Sequence, residues 1–310
     1  MAMKEYLVGE VTEEYAEGLV SRREAIRRLG LLGVGLPGAT ALLAACGGDG
    51  DAKSAGPGAS ESPTALTAPQ ATAPPGDAVG KLVTYRANGQ NFRAAFQAAD
   101  KPRGAVLVVH ENKGLTTHFF ELVGRMASKG YSALCVDLLS RAGKDGLAGF
   151  DDQAAATAAL SAMPTEQLLG DLSAGVDQLL DRAGEDLKLG AMGFCFGGGM
   201  TWNLLQAGPG QEKRLAAAIP FYGPGPEAPN FSGTKAAVLG MYAGLDARVN
   251  ASRPAVEAAL KAAGLTYEIK VWDGADHAFF NDTGDRYNQA AAAAAQVQLL
   301  DWFGKYLAKT

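Results

Sequence analysis

Short apolar runs alternate with amphipathic segments from about residue 81 to the C-terminus. Ala105–Val109 is an unbroken apolar run, and Tyr131–Val136 is a second one interrupted by a single serine. A strand that is apolar on both faces belongs in the middle of a parallel sheet. Between and after these runs, Phe119–Ser128 and Glu166–Arg182 have apolar residues at helical spacing. The alternation predicts an α/β fold with a mostly parallel central sheet and helices on both faces.

The remaining elements follow the same alternation. The sequence predicts strands over Leu82–Ala87, Phe92–Ala98, Leu187–Met192, Ala216–Phe221, Ala236–Tyr242 and Tyr267–Trp272, and helices from Phe196, over Pro254–Ala263 and over Asp285–Tyr306. Asn88-Gly89 predicts a hairpin turn between the first two strands. Ligands of such sheets bind at the carboxyl ends of the strands, so the polar residues that follow each strand are the site candidates.

Residues 1–46 have the layout of an export signal. Arg22-Arg23 precedes Leu29–Ala45, an apolar run that is short and glycine-rich for a membrane span. The paired arginines resemble a twin-arginine signal, and Leu43-Ala44-Ala45-Cys46 resembles a lipobox in which Cys46 is lipidated. An uncleaved anchor and a short buried helix are the alternatives. Within residues 1–46, an acidic leader that includes Glu10, Glu13, Glu14 and Glu17 precedes the paired arginines.

Residues 47–80 consist almost entirely of Gly, Ser, Ala, Thr, Pro and Asp. Such a composition cannot bury a core, so we expect a flexible tether. The sequence therefore predicts three parts: a signal over 1–46, a tether over 47–80 and a catalytic domain over 81–310. The expected product is an exported protein, lipid-anchored through Cys46 to a bacterial membrane on its periplasmic or extracellular face.

The charged residues and the cysteines exclude some classes of protein. The formal net charge is −5, so no basic surplus indicates a nucleic-acid partner. The three cysteines, Cys46, Cys135 and Cys195, lie in different contexts, so a disulfide framework is not expected. No metal or organic cofactor is expected either, and we expect a monomer.

The segment Gly193–Gly199 carries the candidate nucleophile. It follows a predicted strand, precedes a predicted helix and reads Gly-Phe-Cys-Phe-Gly-Gly-Gly. This arrangement matches the nucleophile elbow of α/β-hydrolases, with Cys195 in place of serine. Glycines permit the strained turn, and the following helix N-terminus favours a thiolate. A buried structural cysteine is the alternative.

His277 and Asp246 are the candidate partners of Cys195. Asp246 follows the strand Ala236–Tyr242, and His277 lies in a polar loop after the last strand. The chain order of nucleophile, acid and histidine is that of α/β-hydrolases. Asp273 and Asp276 are closer to His277 in sequence, but side chains so near in one loop rarely approach an imidazole correctly. Solvated loop residues are the alternative for these groups.

The loop after the strand Ala105–Val109 is expected to complete an oxyanion hole. In α/β-hydrolases it supplies one backbone N–H, and the residue after the nucleophile supplies the other. The candidates here are the N–H groups of Asn112 and Phe196. Glu111 is expected to point into the same crevice as Cys195, whereas His110 is expected to pack at the strand end.

These motifs together resemble the dienelactone hydrolase (carboxymethylenebutenolidase) family over nearly the whole domain. The resemblance is carried by His110–Gly114, Val136–Arg141, Gly193–Gly198, Asp246 and Gly274–Phe279. It implies a triad of Cys195, Asp246 and His277. It also implies that Glu111 pairs with the resting thiol and that Arg141 contacts Glu111 and a substrate carboxylate.

The expected function is a cysteine-dependent hydrolase that cleaves a small-molecule ester or lactone through a thioester. The family's typical members carry Ser and a second Arg after the histidine, but here Ala278 follows His277 and Asn281 stands near the place of that Arg. A substrate carboxylate would therefore lose one partner. The alternatives are a non-catalytic ligand-binding lipoprotein on the same fold and a redox thiol protein, although no C-x-x-C pair supports the latter.

Overall fold

The structure, a computed structural model, describes residues 3–46, 79–142, 145–206 and 214–308. The predicted tether therefore lies outside the described residues, apart from its last two. No helix within the described ranges is long and apolar enough to cross a membrane.

One sheet runs through the described part of the chain from residue 81. Its strands are β1 (Lys81–Ala87), β2 (Gln90–Gln97), β3 (Gly104–Val109), β4 (Tyr131–Val136), β5 (Leu189–Phe194), β6 (Leu215–Phe221), β7 (Ala237–Ala243) and β8 (Tyr267–Trp272). They are ordered β1-β2-β4-β3-β5-β6-β7-β8. The pairings β1–β2 and β2–β4 are antiparallel, and the other pairings are parallel. The prediction of a mostly parallel sheet is confirmed.

Helices cover both faces of this sheet. The helices are α1 (Met3–Ala16), α2 (Arg22–Leu31), α3 (Leu36–Cys46), α4 (Thr117–Ser128), α5 (Gln153–Ser161), α6 (Thr165–Ala183), α7 (Phe196–Gln206), α8 (Ala247–Asn250), α9 (Arg253–Ala262) and α10 (Gln289–Leu307). Two short 3-10 helices, Leu138–Ala142 and Gly146–Gly149, follow β4.

The central strands are buried along their whole length, because helices pack on both of their faces. Every residue of β3, β4, β5 and β7 is buried. The hairpin predicted at Asn88-Gly89 is present, with positive φ angles of 50° and 74° at the two residues. Such angles are those of a type I′ turn, for which Asn-Gly is favoured.

Several predicted boundaries differ from the structure by a few residues, among them those of β5 and of the last helix. The strand predicted over Leu187–Met192 is β5, which continues to Phe194 because Phe194 still pairs with Phe221 of β6. The last helix begins at Gln289 rather than Asp285, because the Asn288 side chain accepts a hydrogen bond from the Ala291 N–H and caps it.

Residues 3–46 form three helices that pack against one another and against the domain. The predicted apolar run Leu29–Ala45 is divided between α2 and α3 by a turn at Gly33, whose φ is 75°. Apolar side chains of this helical segment are buried: Tyr6, Leu7, Val11, Ala25, Leu29, Leu32, Ala39 and Leu43. This helical segment therefore packs through its apolar side chains.

Candidate active site

Cys195 lies at the sharp turn between β5 and α7. It is the single residue between Phe194 and Phe196, and its φ is 56°. A positive φ is strained for a residue with a Cβ atom, and such strain concentrates at functional sites. The Cys195 N–H donates to the carbonyl of Phe221 on β6 over 3.1 Å, which fixes the turn to the sheet.

Glycines allow α7 to approach the sheet at this turn. A Cβ atom on Gly197 would collide with the carbonyl oxygen of Val109 on β3. A Cβ atom on Gly193 would collide with the carbonyl oxygen of Gly197. The glycines of the motif therefore have a steric function: they let the helix N-terminus sit directly behind the thiol.

Asp246 and His277 meet beside this turn. Asp246 follows β7 and His277 follows β8, so neighbouring parallel strands deliver both to the same edge of the sheet. The Asp246 Oδ2 atom lies 2.5 Å from His277 Nδ1. The other oxygen of Asp246 accepts from the Val249 N–H over 2.9 Å and caps α8, so the carboxylate is held from both sides.

The nearer acids do not compete for the imidazole. The Asp276 carboxylate accepts from the backbone N–H of His277 over 2.6 Å, and Asp273 is exposed. The structure thus brings together the three residues proposed from the chain order. A nitrogen of His277, the Cys195 sulfur and a Glu10 carboxylate oxygen lie within 4.8 Å of one another.

Burial and charge set the protonation of this cluster. Burial lowers the pKa of His277, but the nearby Cys195 and Asp246 outweigh it and hold that pKa well above its ordinary value. Burial, followed by the charge of Glu10, raises the pKa of the Cys195 thiol. Burial acts to raise the pKa of Asp246, but the hydrogen bond to His277 outweighs it and keeps that pKa below its ordinary value. The imidazole is therefore held by a carboxylate and faces a thiol whose pKa is raised first by burial and then by the charge of Glu10.

The two proposed oxyanion donors lie at the start of α7 and in the loop after β3. Phe196 is the first residue of α7, so its N–H has no acceptor within the helix. Asn112 lies in the loop after β3 and is 8% exposed. Its carbonyl accepts from the Thr157 hydroxyl over 3.1 Å, which holds the loop against α5.

Glu111 is buried in the same region, but its carboxylate is bound elsewhere. It accepts from the Asn281 side-chain amide over 2.8 Å and from the Tyr222 hydroxyl over 3.3 Å. Asn281 therefore occupies the place considered for a second arginine and anchors Glu111. The expectation that Glu111 pairs with the thiol does not match the structure, in which Glu10 is the acid hydrogen-bonded to Cys195.

The structure does not bring Arg141 to the thiol either. Its guanidinium makes two hydrogen bonds to the buried carboxylate of Asp171 on α6, one of them 2.8 Å long, and lies over the Phe92 ring. The expectation that it contacts Glu111 and a substrate carboxylate therefore does not match. The physical reason is that an unpaired Asp171 would be costly at full burial, and Arg141 is the cation within reach.

His110 packs at the end of β3, as expected. Its Nδ1 lies 2.7 Å from the Glu111 carbonyl oxygen, and its Nε2 accepts from the Leu138 N–H over 3.2 Å. Burial lowers the pKa of His110 to about 4, so this imidazole is neutral at physiological pH.

Two residues of α1 enter the site and were missed by the sequence analysis. The Tyr6 hydroxyl lies 3.0 Å from Cys195 Sγ and 3.2 Å from His277 Nε2. The Glu10 carboxylate accepts from the Asn112 side-chain amide over 3.0 Å, and both its oxygens lie 3.7 Å from the sulfur. The acidic leader did carry a signal, because Glu10, Glu13 and Glu17 recur at helical spacing.

The Glu10, Cys195 and His277 donor atoms form the one cluster among the described residues with a spacing that suits a metal ion. Each member already has a hydrogen-bond partner. Tyr6 contacts both Cys195 and His277, and Asn112 binds Glu10. Cys195 and His277 are therefore arranged as a nucleophile and its base, and helix α1 is inserted beside them.

Comparison with known proteins places this geometry in a family. The dienelactone hydrolase family model matches residues 92–307. A protein of Escherichia coli O157:H7 named "putative carboxymethylenebutenolidase" is 32% identical over 248 residues, which cover 75% of this chain and 89% of that protein. A protein of the same name from Saccharolobus solfataricus is 28% identical, over 69% of this chain and 94% of the other.

A solved structure shows the same relationship. The crystal structure titled "putative dienelactone hydrolase" from Klebsiella pneumoniae subsp. pneumoniae has a TM-score of 0.64 and 30% identity. The match covers 74% of this chain and 99% of the other. Helices α1–α3 lie outside the family-model match, which begins at residue 92.

Proposed function

The chain belongs to the dienelactone hydrolase family of α/β-hydrolases, and we propose that it cleaves a carboxylic ester or lactone through a thioester on Cys195. The observation that carries the proposal is Cys195 at a positive φ of 56° on a strand-to-helix turn, with the His277–Asp246 pair beside it. This is the arrangement of a nucleophile with its base and orienting acid.

In the first half of the reaction the sulfur forms a bond to the carbonyl carbon of the substrate. His277 takes the thiol proton at Nε2, while Asp246 holds Nδ1 and stabilises the imidazolium. The carbonyl oxygen becomes an oxyanion and accepts from the N–H groups of Phe196 and Asn112. The carbon–oxygen ester bond then breaks, and the leaving oxygen takes the proton from Nε2.

In the second half water cleaves the thioester. The neutral imidazole of His277 removes a proton from the water as its oxygen attacks the acyl carbon. The carbon–sulfur bond breaks, and the thiolate regains the proton from His277. The net reaction is ester plus water to carboxylic acid plus alcohol or phenol; a lactone gives a single hydroxy acid.

Substitution of the nucleophile tests the proposal. In a Tyr6→Ala background, which removes the hydroxyl that contacts both Cys195 and His277, Cys195→Ala is expected to abolish hydrolysis of aryl esters. Cys135→Ala in the same background, which removes another buried cysteine, on β4, is the matched control. Full activity in Cys195→Ala would contradict the proposal. If the chain instead binds a ligand without chemistry, it would bind esters and leave them intact in every variant.

The N-terminal segment supports a second part of the proposal, an exported lipoprotein anchored at Cys46. Arg22 and Arg23 are exposed at the start of α2, where a receptor can reach them, and Cys46 ends α3. Bacteria that express the chain should incorporate labelled palmitate, and Cys46→Ser should prevent it. Equal incorporation in Cys46→Ser would contradict lipidation at this residue.

A further inference from the structure

Helix α1 places a phenol between the two reacting atoms. Tyr6 is fully buried, and its hydroxyl is within hydrogen-bond distance of both Cys195 Sγ and His277 Nε2. In the reaction above, the leaving oxygen is bonded to the carbon that sulfur attacks and receives its proton from Nε2. The Tyr6 oxygen therefore stands where the leaving oxygen of an ester would stand.

The ring of Tyr6 is also held as an aromatic leaving group would be. The Arg248 guanidinium lies 4.4 Å from the ring centroid, a cation–π distance. Its side chain is 13% exposed and pairs with Glu13 over 2.9 Å, so the cation is fixed above the ring. While α1 is docked, a flat, electron-rich ring is thus held under a cation at the leaving-group position.

Glu10 supplies the complementary product group. Its carboxylate lies against the sulfur at 3.7 Å and accepts a hydrogen bond from the Asn112 side-chain amide. When the thioester is cleaved, the acyl carbon leaves the sulfur and becomes the carboxylate of the acid product. That carboxylate would lie beside the sulfur, as the Glu10 carboxylate does. A phenol and a carboxylate, the two products of aryl ester hydrolysis, therefore occupy the site together.

Ion pairs and packing hold α1 in place. Glu13 pairs with Arg248, and Glu17 pairs with Arg286 through a 2.9 Å bond to its Nε. A cavity of about 30 Å³ remains beside Glu10 and Asn112. That is room for about one water molecule, far below the several hundred Å³ of a ligand pocket. Among the described residues, Tyr6 and Glu10 of α1 therefore occupy the space beside Cys195 and His277 that a substrate needs.

We propose that α1 is a tethered product analogue, with Tyr6 in the leaving-group half and Glu10 in the acyl half of a site that takes aryl esters. The full chain is then inhibited until α1 leaves. This inference rests on the hydrolase function proposed above. Removal of residues before Cys46 during export would release α1–α3 together, which would couple activity to arrival at the membrane.

Substitutions in the full chain test the inhibition. Tyr6→Ala and Glu10→Ala are expected to raise kcat/KM for phenyl acetate at least tenfold, whereas Glu5→Ala, an exposed acid on the same helix, should leave it unchanged. Glu17→Arg, which faces Arg286 outside the site, should also activate, and adding Arg286→Glu should restore inhibition. Equal rates in wild type, Tyr6→Ala and Glu17→Arg would overturn the inference.

Two further readouts separate this inference from the hydrolase function. Alkylation of Cys195 by iodoacetamide should be at least tenfold faster in Glu17→Arg than in wild type, whether or not the protein hydrolyses esters. Faster alkylation without hydrolysis in any variant would support the docked helix and contradict the hydrolase. Full hydrolysis by wild type, with unchanged alkylation in Glu17→Arg, would contradict the docked helix alone.

The substrate class has its own test. p-Cresol, which has the side chain of tyrosine, should inhibit Tyr6→Ala competitively against phenyl acetate, and cyclohexanol should inhibit it at least tenfold more weakly. Equal inhibition by the two alcohols would overturn the assignment of aryl esters.

Discussion

Asp246 Oδ2 lies 2.5 Å from His277 Nδ1, although 31 residues separate them in the chain. The bond fixes the imidazole so that its other nitrogen faces Cys195. Asp246→Asn should lower kcat for aryl esters by about 10⁴-fold, because an amide neither selects the same tautomer nor stabilises the imidazolium. Steady-state kinetics in a Tyr6→Ala background, where the site is open, measure this. Asp273→Asn, an exposed acid near His277, is the control, and a similar loss in that variant would refute the role of Asp246.

Close packing at the nucleophile turn makes Gly197 intolerant of a side chain. Gly197→Ala should lower the free energy of unfolding by about 1–3 kcal/mol, because its Cβ meets the carbonyl oxygen of Val109. Gly170→Ala, at an exposed position inside α6 with its Cβ nearly free, should instead add about 0.5–1 kcal/mol. Denaturant titration of both variants measures the two effects. Equal stability changes would show that the turn is not sterically constrained.

Arg141 is expected to stabilise the fold rather than bind substrate. Arg141→Ala leaves the Asp171 carboxylate buried without its cation, and should lower the free energy of unfolding by about 3–5 kcal/mol. Arg182→Ala, at an exposed arginine on the same helix as Asp171, should have little effect. The ratio of kcat/KM for acidic and neutral aryl esters should stay unchanged in Arg141→Ala. A loss of kcat/KM for acidic esters alone would show that Arg141 binds the substrate.

The docked helix should respond to pH through Glu10. Burial raises the pKa of Glu10 above its ordinary value, so docking takes up a proton there. The contribution of Glu10 to docking is therefore complete below the ordinary glutamate pKa of about 4.3. It is lost as the pH rises through the raised pKa of Glu10 in the docked protein. The groups that face Glu10 are Tyr6, Glu14, Glu111, Asn112, Cys195, Arg248 and His277.

This dependence can be measured as a ratio of rates. The activity of wild type relative to Glu10→Gln should rise as the pH increases from about 4.3. The glutamine stays neutral at every pH, whereas Glu10 of wild type ionises and α1 leaves the site. Using the ratio removes the titration of Cys195 and His277 in the undocked, active form, which both proteins share. A ratio that is flat or falls with pH would contradict the assigned sign.

Much of the fold and part of the site follow from local sequence. The continuous apolar runs identify β3 and β4 because strands covered on both faces need no polar residues. The triad could be assembled because the carboxyl ends of parallel strands meet at one edge, so the chain order of Cys195, Asp246 and His277 fixes their neighbourhood.

The missed contacts depend on packing that has no local signature. Tyr6 reaches Cys195 across 189 residues, and nothing near Tyr6 in sequence identifies its partner. The pairing of Arg141 with Asp171 depends on how α6 lies against the 3-10 helix after β4. The acidic spacing of Glu10, Glu13 and Glu17 predicts a helix face but not the basic residues that face it.

Mass spectrometry of the protein during turnover tests the central claim most directly. Tyr6→Ala, mixed with an aryl ester and quenched in acid, should carry one acyl group, and peptide mapping should place it on Cys195. Adding Cys195→Ala should remove the acyl group, and adding Cys135→Ala should retain it. An acyl group on another residue, or hydrolysis that continues when Cys195→Ala is added, would contradict the thioester mechanism.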